Sequence, residues 1–272
     1  MCELFGISSR NPTTAKFSLS EFARRGGDTG PHSDGWGIAF FRDGDVAVMR
    51  EPEPSAHSPL LRFIHEQHTP SELAIAHIRK ATQGAVNLRN TQPFVRELGG
   101  RPHVFAHNGD LGDLRQRISL EQSFFRPIGD TDSEHAFCYL LAKLQTIWLA
   151  DETPSLEQRL RIFTRFAAHM TTFGTANFLY SDGQYLFVHS HFRREESEGP
   201  EQPGFYLLER CCHEHSIQNG IKLETDQQMT LLASSPLSGE NWQPLPACSV
   251  LAIQKGHIVI NNSLTERALK AQ

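Results

Sequence analysis

The chain is poor in every feature that would place it outside the ordinary globular class. Its 272 residues hold only five cysteines, an odd number scattered along the chain, which excludes a dense disulfide framework. No apolar run approaches the roughly 18–20 residues of a membrane span. The N-terminus also lacks the basic segment and apolar stretch of a secretory signal. Basic residues are not in excess: 26 Lys and Arg stand against 31 Asp and Glu, a formal net charge of −5. That balance removes the electrostatic reason to expect nucleic acid or an anionic membrane as partner. No internal repeat, low-complexity tract or interdomain linker interrupts the chain. The expectation is a cytoplasmic protein folding as one unit over 1–272, long enough to bury a sizeable core.

What is present reads as strands, two central helices, then strands again. Cys2 to Ser8 alternates as a strand, and Phe17 to Arg25 has helical spacing that stops at Gly26-Gly27. Trp36 to Phe41 and Asp45 to Arg50 flank Arg42-Asp43-Gly44, a hairpin signal. A short helix around Ser58 to Gln67 precedes the apolar run Leu73 to His77, which has the character of a buried strand. Phe94 to Leu98 and Val104 to His107 follow, the latter ending at Asn108-Gly109. Helical patterns capped by Thr131 or Asp132 and by Ser155 run to about Lys143 and Met170. Further strands are expected at Ala176–Tyr180, Tyr185–His189, Phe205–Leu208, Met229–Ala233, Val250–Gln254 and His257–Ile260. Arg193 to Pro203 reads as an exposed charged loop. This order predicts an α+β fold with helices packed against antiparallel sheets.

Chemistry gathers at four places. Cys2 stands directly behind Met1, and a residue this small permits removal of the initiator. The mature chain would then carry a thiol and a free α-amine on one residue. An α-amine of pKa about 7.7–8.0 is partly unprotonated near neutral pH, so a chain end can supply both nucleophile and base. The competing reading is a small apolar residue opening a strand. Arg79, at the exit of the buried strand in His77-Ile-Arg79-Lys-Ala-Thr82, suits a carboxylate, which a guanidinium grips by both oxygens. His107-Asn108-Gly109 is either a turn or an amide and adjacent N–H placed as an oxyanion hole. Thr131-Asp132-Ser-Glu134 is either a helix cap with an acidic first turn or a carboxylate set for an ammonium.

Taken together and in this order, these motifs resemble the glutaminase domain of the class II glutamine amidotransferases, a branch of the N-terminal-nucleophile hydrolases. The Met-Cys-Glu-Leu-Phe-Gly start, Arg25-Gly-Gly-Asp-Thr-Gly-Pro-His, Asp34-Gly-Trp-Gly-Ile and Ala233-Ser-Ser-Pro-Leu-Ser-Gly with Trp242 are most similar to the stand-alone YafJ-like subgroup. The resemblance implies a four-layer αββα sandwich without a synthase domain and without a cofactor. It implies that Cys2 attacks the side-chain amide of glutamine to form a γ-glutamyl thioester, and that Asn108 and Gly109 stabilise the oxyanion. It further implies that Arg79, assisted by Thr82, binds the α-carboxylate and that Asp132 binds the α-ammonium.

Three positions depart from relatives: Glu3 stands where the larger amidotransferases usually carry glycine, Lys80 where several relatives place tryptophan, and Gln83 where histidine is common. The substrate expectation therefore extends to another γ-glutamyl amide such as glutathione, with a partner subunit or an unidentified ammonia acceptor. A retired enzyme serving as a binding subunit is the non-enzymatic alternative. Cys211-Cys212-His213-Glu214-His215, with His189 and His191 earlier, lacks paired zinc spacing, and neighbours on a strand face opposite ways. No metal is expected, and Cys138 and Cys248 read as packing residues.

Overall fold

The computed structural model describes residues 2–14, 16–67, 69–148, 153–194, 200–218 and 221–264, with side chains described for these except 16–17, 212–218 and 221–225. The first half runs β1 (Glu3–Thr13), α1 (Lys16–Arg24), β2 (Trp36–Arg42), β3 (Asp45–Glu51), α2 (Pro59–Gln67), β4 (Ser71–Ile78), β5 (Phe94–Leu98) and β6 (Arg101–Asp110). Next come α3 (Leu114–Arg117), α4 (Asp132–Trp148), α5 (Leu156–Thr171), β7 (Thr175–Ser181), β8 (Leu186–Ser190), β9 (Phe192–Arg193) and β10 (Gln202–Pro203). The chain closes with β11 (Tyr206–Gln218), β12 (Ile221–Ala233), β13 (Gln243–Pro244), β14 (Ser249–Gln254) and β15 (His257–Ser263).

Two main sheets face each other. One has seven strands in the order β13-β11-β12-β1-β4-β2-β3, the other six in the order β15-β14-β8-β7-β6-β5. Alternation along the strands explains why both faces of both sheets are covered. In β1, Leu4 points into the layer between the sheets and Phe5 and Ile7 point to the outer face, where Leu19, Phe22, Leu61 and Ile64 of α1 and α2 meet them. In β6, Val104 and Ala106 face the inner layer, whereas Phe105 joins Phe137, Phe163 and Phe166 of α4 and α5. Phe105 stacks on Phe137 at 5.3 Å between ring centroids, 5° from coplanar. Helix, sheet, sheet, helix: the expected four-layer αββα sandwich is the observed one. Gly6 sits where a Cβ would come 3.1 Å from Leu179 of the other sheet, so the missing side chain sets how closely the sheets approach.

Local signals produce the elements. Thr131 Oγ1 accepts the Glu134 amide as the cap of α4, and Ser155 with Gln158 forms a reciprocal capping box on α5. Lys255 and Gly256 both take positive φ, 48° and 75°, in the β14–β15 hairpin. Asp43 and Gly44 do the same between β2 and β3.

Three expectations are corrected. Asn108-Gly109 is no turn: β6 continues through both to Asp110, with Asn108 opposite Asn177 and Gly109 opposite Ala176. β11 and β12 are much longer than Phe205–Leu208 and Met229–Ala233, because they pair with one another without a break from Tyr206↔Ala233 to Gln218↔Ile221. Arg193 is buried rather than in an exposed loop, held by the β9–β10 pair. The side chains of Cys212, His213, Glu214 and His215 lie outside the described residues. Cys138 is fully buried in α4, and Cys248 packs partly buried against the same core. No described helix is long and apolar enough to cross a membrane.

Buried imidazoles tie stability to pH. His103 accepts from Tyr180 Oη at Nδ1 (2.7 Å) and donates to Leu98 O through Nε2 (3.1 Å); burial lowers it to about 4. Burial likewise lowers His189 to about 3. Unfolded, each binds a proton near pH 6.5, so the unfolded chain holds more protons below that value and stability falls with pH from about 6.5 toward 4 and 3. The melting temperature should therefore drop between pH 7 and 4.5, with a shallower slope in His103→Gln; an identical slope in that variant contradicts the assignment.

Candidate active site

The candidate residues lie at one end of the sandwich, where β1 begins and β4 and β6 end. Cys2 precedes β1 and is partly buried. Its sulfur accepts the Lys80 amide at 3.3 Å and, as a thiol, donates to Lys80 O at 3.4 Å. The backbone of one residue, Lys80, therefore serves both protonation states. Burial pushes the Cys2 thiol above the ordinary value; the Lys80 amide and the Arg79 charge oppose the shift, and Asp132 adds to it.

Asn108 comes from the opposite sheet. Its Nδ2 donates to Cys2 O at 2.6 Å and reaches Ser234 Oγ at 3.3 Å. The reverse amide orientation would set two oxygens at 2.6 Å, so the nitrogen assignment follows from chemistry. Ser234 clamps the start of β1 on both sides: its Oγ accepts the Leu4 amide at 2.9 Å and its amide donates to Leu4 O at 3.0 Å. Asn177, fully buried on β7, donates to Asn108 O (3.0 Å) and Phe192 O (2.9 Å) and accepts the His191 amide (2.7 Å). At Gly109 an added Cβ would lie 1.8 Å from Thr175 O, so only glycine fits beside Asn108 in this strand.

Arg79 and Asp132 act on the Cys2 thiol with opposite charges. Arg79 is 3% exposed, and its guanidinium donates to the carbonyls of Ala85 (2.9 Å), Gln83 (3.0 Å) and Gly84 (3.0 Å). Desolvation and the Cys2 and Asp34 charges are what its environment imposes, with burial lowering its pKa. Asp132, also buried, accepts from the Leu111 amide and its neighbour Ser133 N, both at 2.8 Å. His107 faces the helix layer; Nε2 donates to Thr175 O at 3.0 Å, so Nδ1 accepts from Ser133 Oγ at 2.9 Å. Cys2, Arg79, Asn108, Gly109 and Asp132 are thus brought together. Thr82 is set apart, exposed on the loop that Arg79 holds, while Gln83 of that loop donates to Asp110 Oδ1 at 2.8 Å. No three described His, Cys, Asp or Glu residues cluster as metal ligands do.

Four residues at this end carried no expectation of a role in the site: Ser234, Asn177, Arg193 and Glu3. Ser234 had a signal, since Ala233-Ser-Ser-Pro stood out as a motif with nothing assigned to it.

A two-sheet sandwich in which a side-chain amide of one sheet reaches the backbone carbonyl of residue 2, directly before a strand of the other, is an N-terminal-nucleophile hydrolase architecture. The family model for glutamine amidotransferases class-II matches residues 1–272, and the chain belongs to that family. It is 36% identical over 249 residues to the putative glutamine amidotransferase YafJ of Escherichia coli, covering 90% of this chain and 94% of that one. A putative glutamine amidotransferase of Haemophilus influenzae is 41% identical over 189 residues, 70% of this chain and 63% of its own. Among solved structures, a predicted glutamine amidotransferase from Pseudomonas aeruginosa superposes with a TM-score of 0.67 at 29% identity, covering 95% of this chain and 100% of that one. The glutamine phosphoribosylpyrophosphate amidotransferase of Bacillus subtilis shares the fold at a TM-score of 0.59 and 15% identity, over 97% of this chain and 49% of its own.

The upward shift of Cys2 has a direct consequence. Iodoacetamide labelling of the peptide containing Cys2, followed by mass spectrometry, should keep accelerating beyond about pH 8.5, the ordinary thiol value. A plateau below that pH contradicts the described environment.

Proposed function

We propose that the chain is a glutaminase-type amidohydrolase, acting in the cytoplasm, whose nucleophile is the Cys2 thiol after Met1 is removed. The observation that carries this reading is that Asn108 Nδ2 reaches the Cys2 carbonyl from the opposite sheet while the opposite charges of Arg79 and Asp132 both act on the Cys2 thiol. Glutamine presents a carboxylate, an ammonium and an amide on one short chain, and each has a partner here. Three of the five guanidinium N–H groups of Arg79 hold the Gln83–Ala85 loop, two from Nη2 and one from Nη1; Nε–H and one Nη1–H are left, and one of them can meet the α-carboxylate. Asp132 takes the α-ammonium. With both ends of the amino-acid head held, the side-chain amide is directed at Cys2.

The sulfur attacks the amide carbon, and its proton passes to the α-amine of Cys2. The oxyanion is met by the Gly109 N–H and by the Asn108 hydrogen that makes only the long 3.3 Å contact to Ser234. Collapse expels ammonia with the proton returned from the amine, leaving a γ-glutamyl thioester. Water then releases glutamate and restores the thiol. Ammonia goes to solvent or to an acceptor protein. A second substrate, a γ-glutamyl peptide, keeps the same head contacts; the exposed Thr82 side of the loop leaves its longer leaving group room.

Ammonia release should be measured over a panel of glutamine and γ-glutamyl peptides. Cys2→Ala is expected to abolish release while the fold is kept, and retained turnover overturns the mechanism. Arg79→Lys should raise KM for glutamine at least tenfold, since hydrogen bonds to charged groups contribute about 1.5–3 kcal/mol; an unchanged KM places the α-carboxylate elsewhere. The active chain should have the mass expected without Met1. A wild-type chain that releases ammonia from none of these compounds would favour a binding subunit instead.

A further inference from the structure

A nucleophile at a chain end has a mechanical problem. Terminal residues fray unless something ties them down, and residue 3 is the last side chain that can anchor the thiol of residue 2. Glu3 is a strange choice for a strand between two packed layers, where a carboxylate is costly unless it is paired. It is only 5% exposed. Its Oε2 accepts from Arg25 at 3.2 Å and its Oε1 lies 3.7 Å from Arg193 Nη1. Both arginines are anchored in turn: Arg25 donates to Pro236 O at 2.5 Å, and Arg193 donates to Pro203 O and Ser235 Oγ, both at 3.1 Å.

These partners come from distant parts of the fold. Arg25 follows α1 in the outer layer of the first sheet, and Ser235 and Pro236 follow β12. Arg193 belongs to β9, two residues past β8 of the second sheet. The carboxylate thus ties the start of β1 to both sides of the sandwich. That matters because the sulfur travels with β1 whereas Asn108 travels with β6. Their separation is the separation of the sheets at this end. A buried ion pair is a poor device for stability, since apolar residues of similar volume serve as well or better. It is a good device for holding one geometry.

We propose that Glu3, gripped between Arg25 and Arg193, is a positioning residue that sets the Cys2 sulfur against Asn108 across the two sheets. This rests on the reading of Cys2 as nucleophile, and it gives a purpose to a buried carboxylate at the first position of β1. It also explains why motifs at residues 3, 25 and 234–236, far apart in sequence, occur together.

The test compares wild type with Glu3→Gln, Arg193→Gln and the double variant, each assayed well below its own melting temperature. Glu3→Gln should lower kcat for glutamine about 10- to 100-fold, as displacement of reacting atoms by about 1 Å does, with KM changed less than about twofold. Iodoacetamide labelling of Cys2 should rise at least about threefold in the same variant, because a loosened end admits the reagent. Opposite movement of turnover and labelling separates mispositioning from general loss of structure. The double variant should be no slower than the slower single variant, since both break one clamp. Unchanged kcat in Glu3→Gln, a loss confined to KM, or losses that multiply would overturn the proposal. The labelling readout needs no substrate. Should wild type prove inactive on glutamine, unchanged labelling in Glu3→Gln would still sink the clamp, and faster labelling would sustain it.

Discussion

The hydrogen bond from Asn108 Nδ2 to Cys2 O, 2.6 Å long, is where the architecture becomes chemistry. Its donor belongs to the six-stranded sheet and its acceptor directly precedes a strand of the seven-stranded one. Everything else at that end of the molecule serves to hold this junction. Ser234 pins Leu4 through both its amide and its hydroxyl, and Asn177 fixes the Asn108 carbonyl from the neighbouring strand. Behind them the inner layer of Leu4, Ile75, Val104, Ala106, Leu179 and Leu251 presses the sheets together. Close packing of this kind transmits small displacements rather than absorbing them, so a site shared between two sheets inherits the rigidity of the core.

The electrostatics follow from the same placement. A thiol enclosed by the sandwich is held neutral by desolvation, while the Lys80 amide, the chain's N-terminal charge and Arg79 draw it toward the thiolate. That suits a nucleophile activated at the moment of attack by a base on its own residue. It suits less well a permanently ionised cysteine, which is found near exposed cationic groups. Arg79 and Asp132 are themselves buried and hydrogen-bonded to backbone, so both charges are preorganised for the zwitterion that the proposed function assigns to them.

Much of this was legible in the sequence because it is local. The run Leu73 to His77 announced a strand covered on both faces, Asp43-Gly44 and Lys255-Gly256 announced hairpins, and Thr131 and Ser155 announced helix starts. The motif residues Cys2, Arg79, Asn108 and Asp132 were legible through resemblance rather than through spacing. What escaped is non-local. Asn108-Gly109 has the composition of a turn, and only its pairing with Asn177 and Ala176 keeps it in a strand. The polar stretch between Glu209 and Gln228 hides two strands that stabilise each other, although the Asn219-Gly220 pair between them is a hairpin dipeptide in sequence. Arg193 looked like loop charge because its partners, Glu3 and Ser235, lie some 190 residues before it and some 40 after.

The central claim is that one sulfur, that of Cys2, becomes covalently bonded to the γ-carbonyl of its substrate. Acid quenching of the protein during turnover of glutamine, followed by digestion and mass spectrometry, tests it most directly. The account predicts a γ-glutamyl group on a peptide that begins at Cys2. Ammonia formed with that peptide unmodified throughout, or a glutamyl group found on another residue, would contradict it.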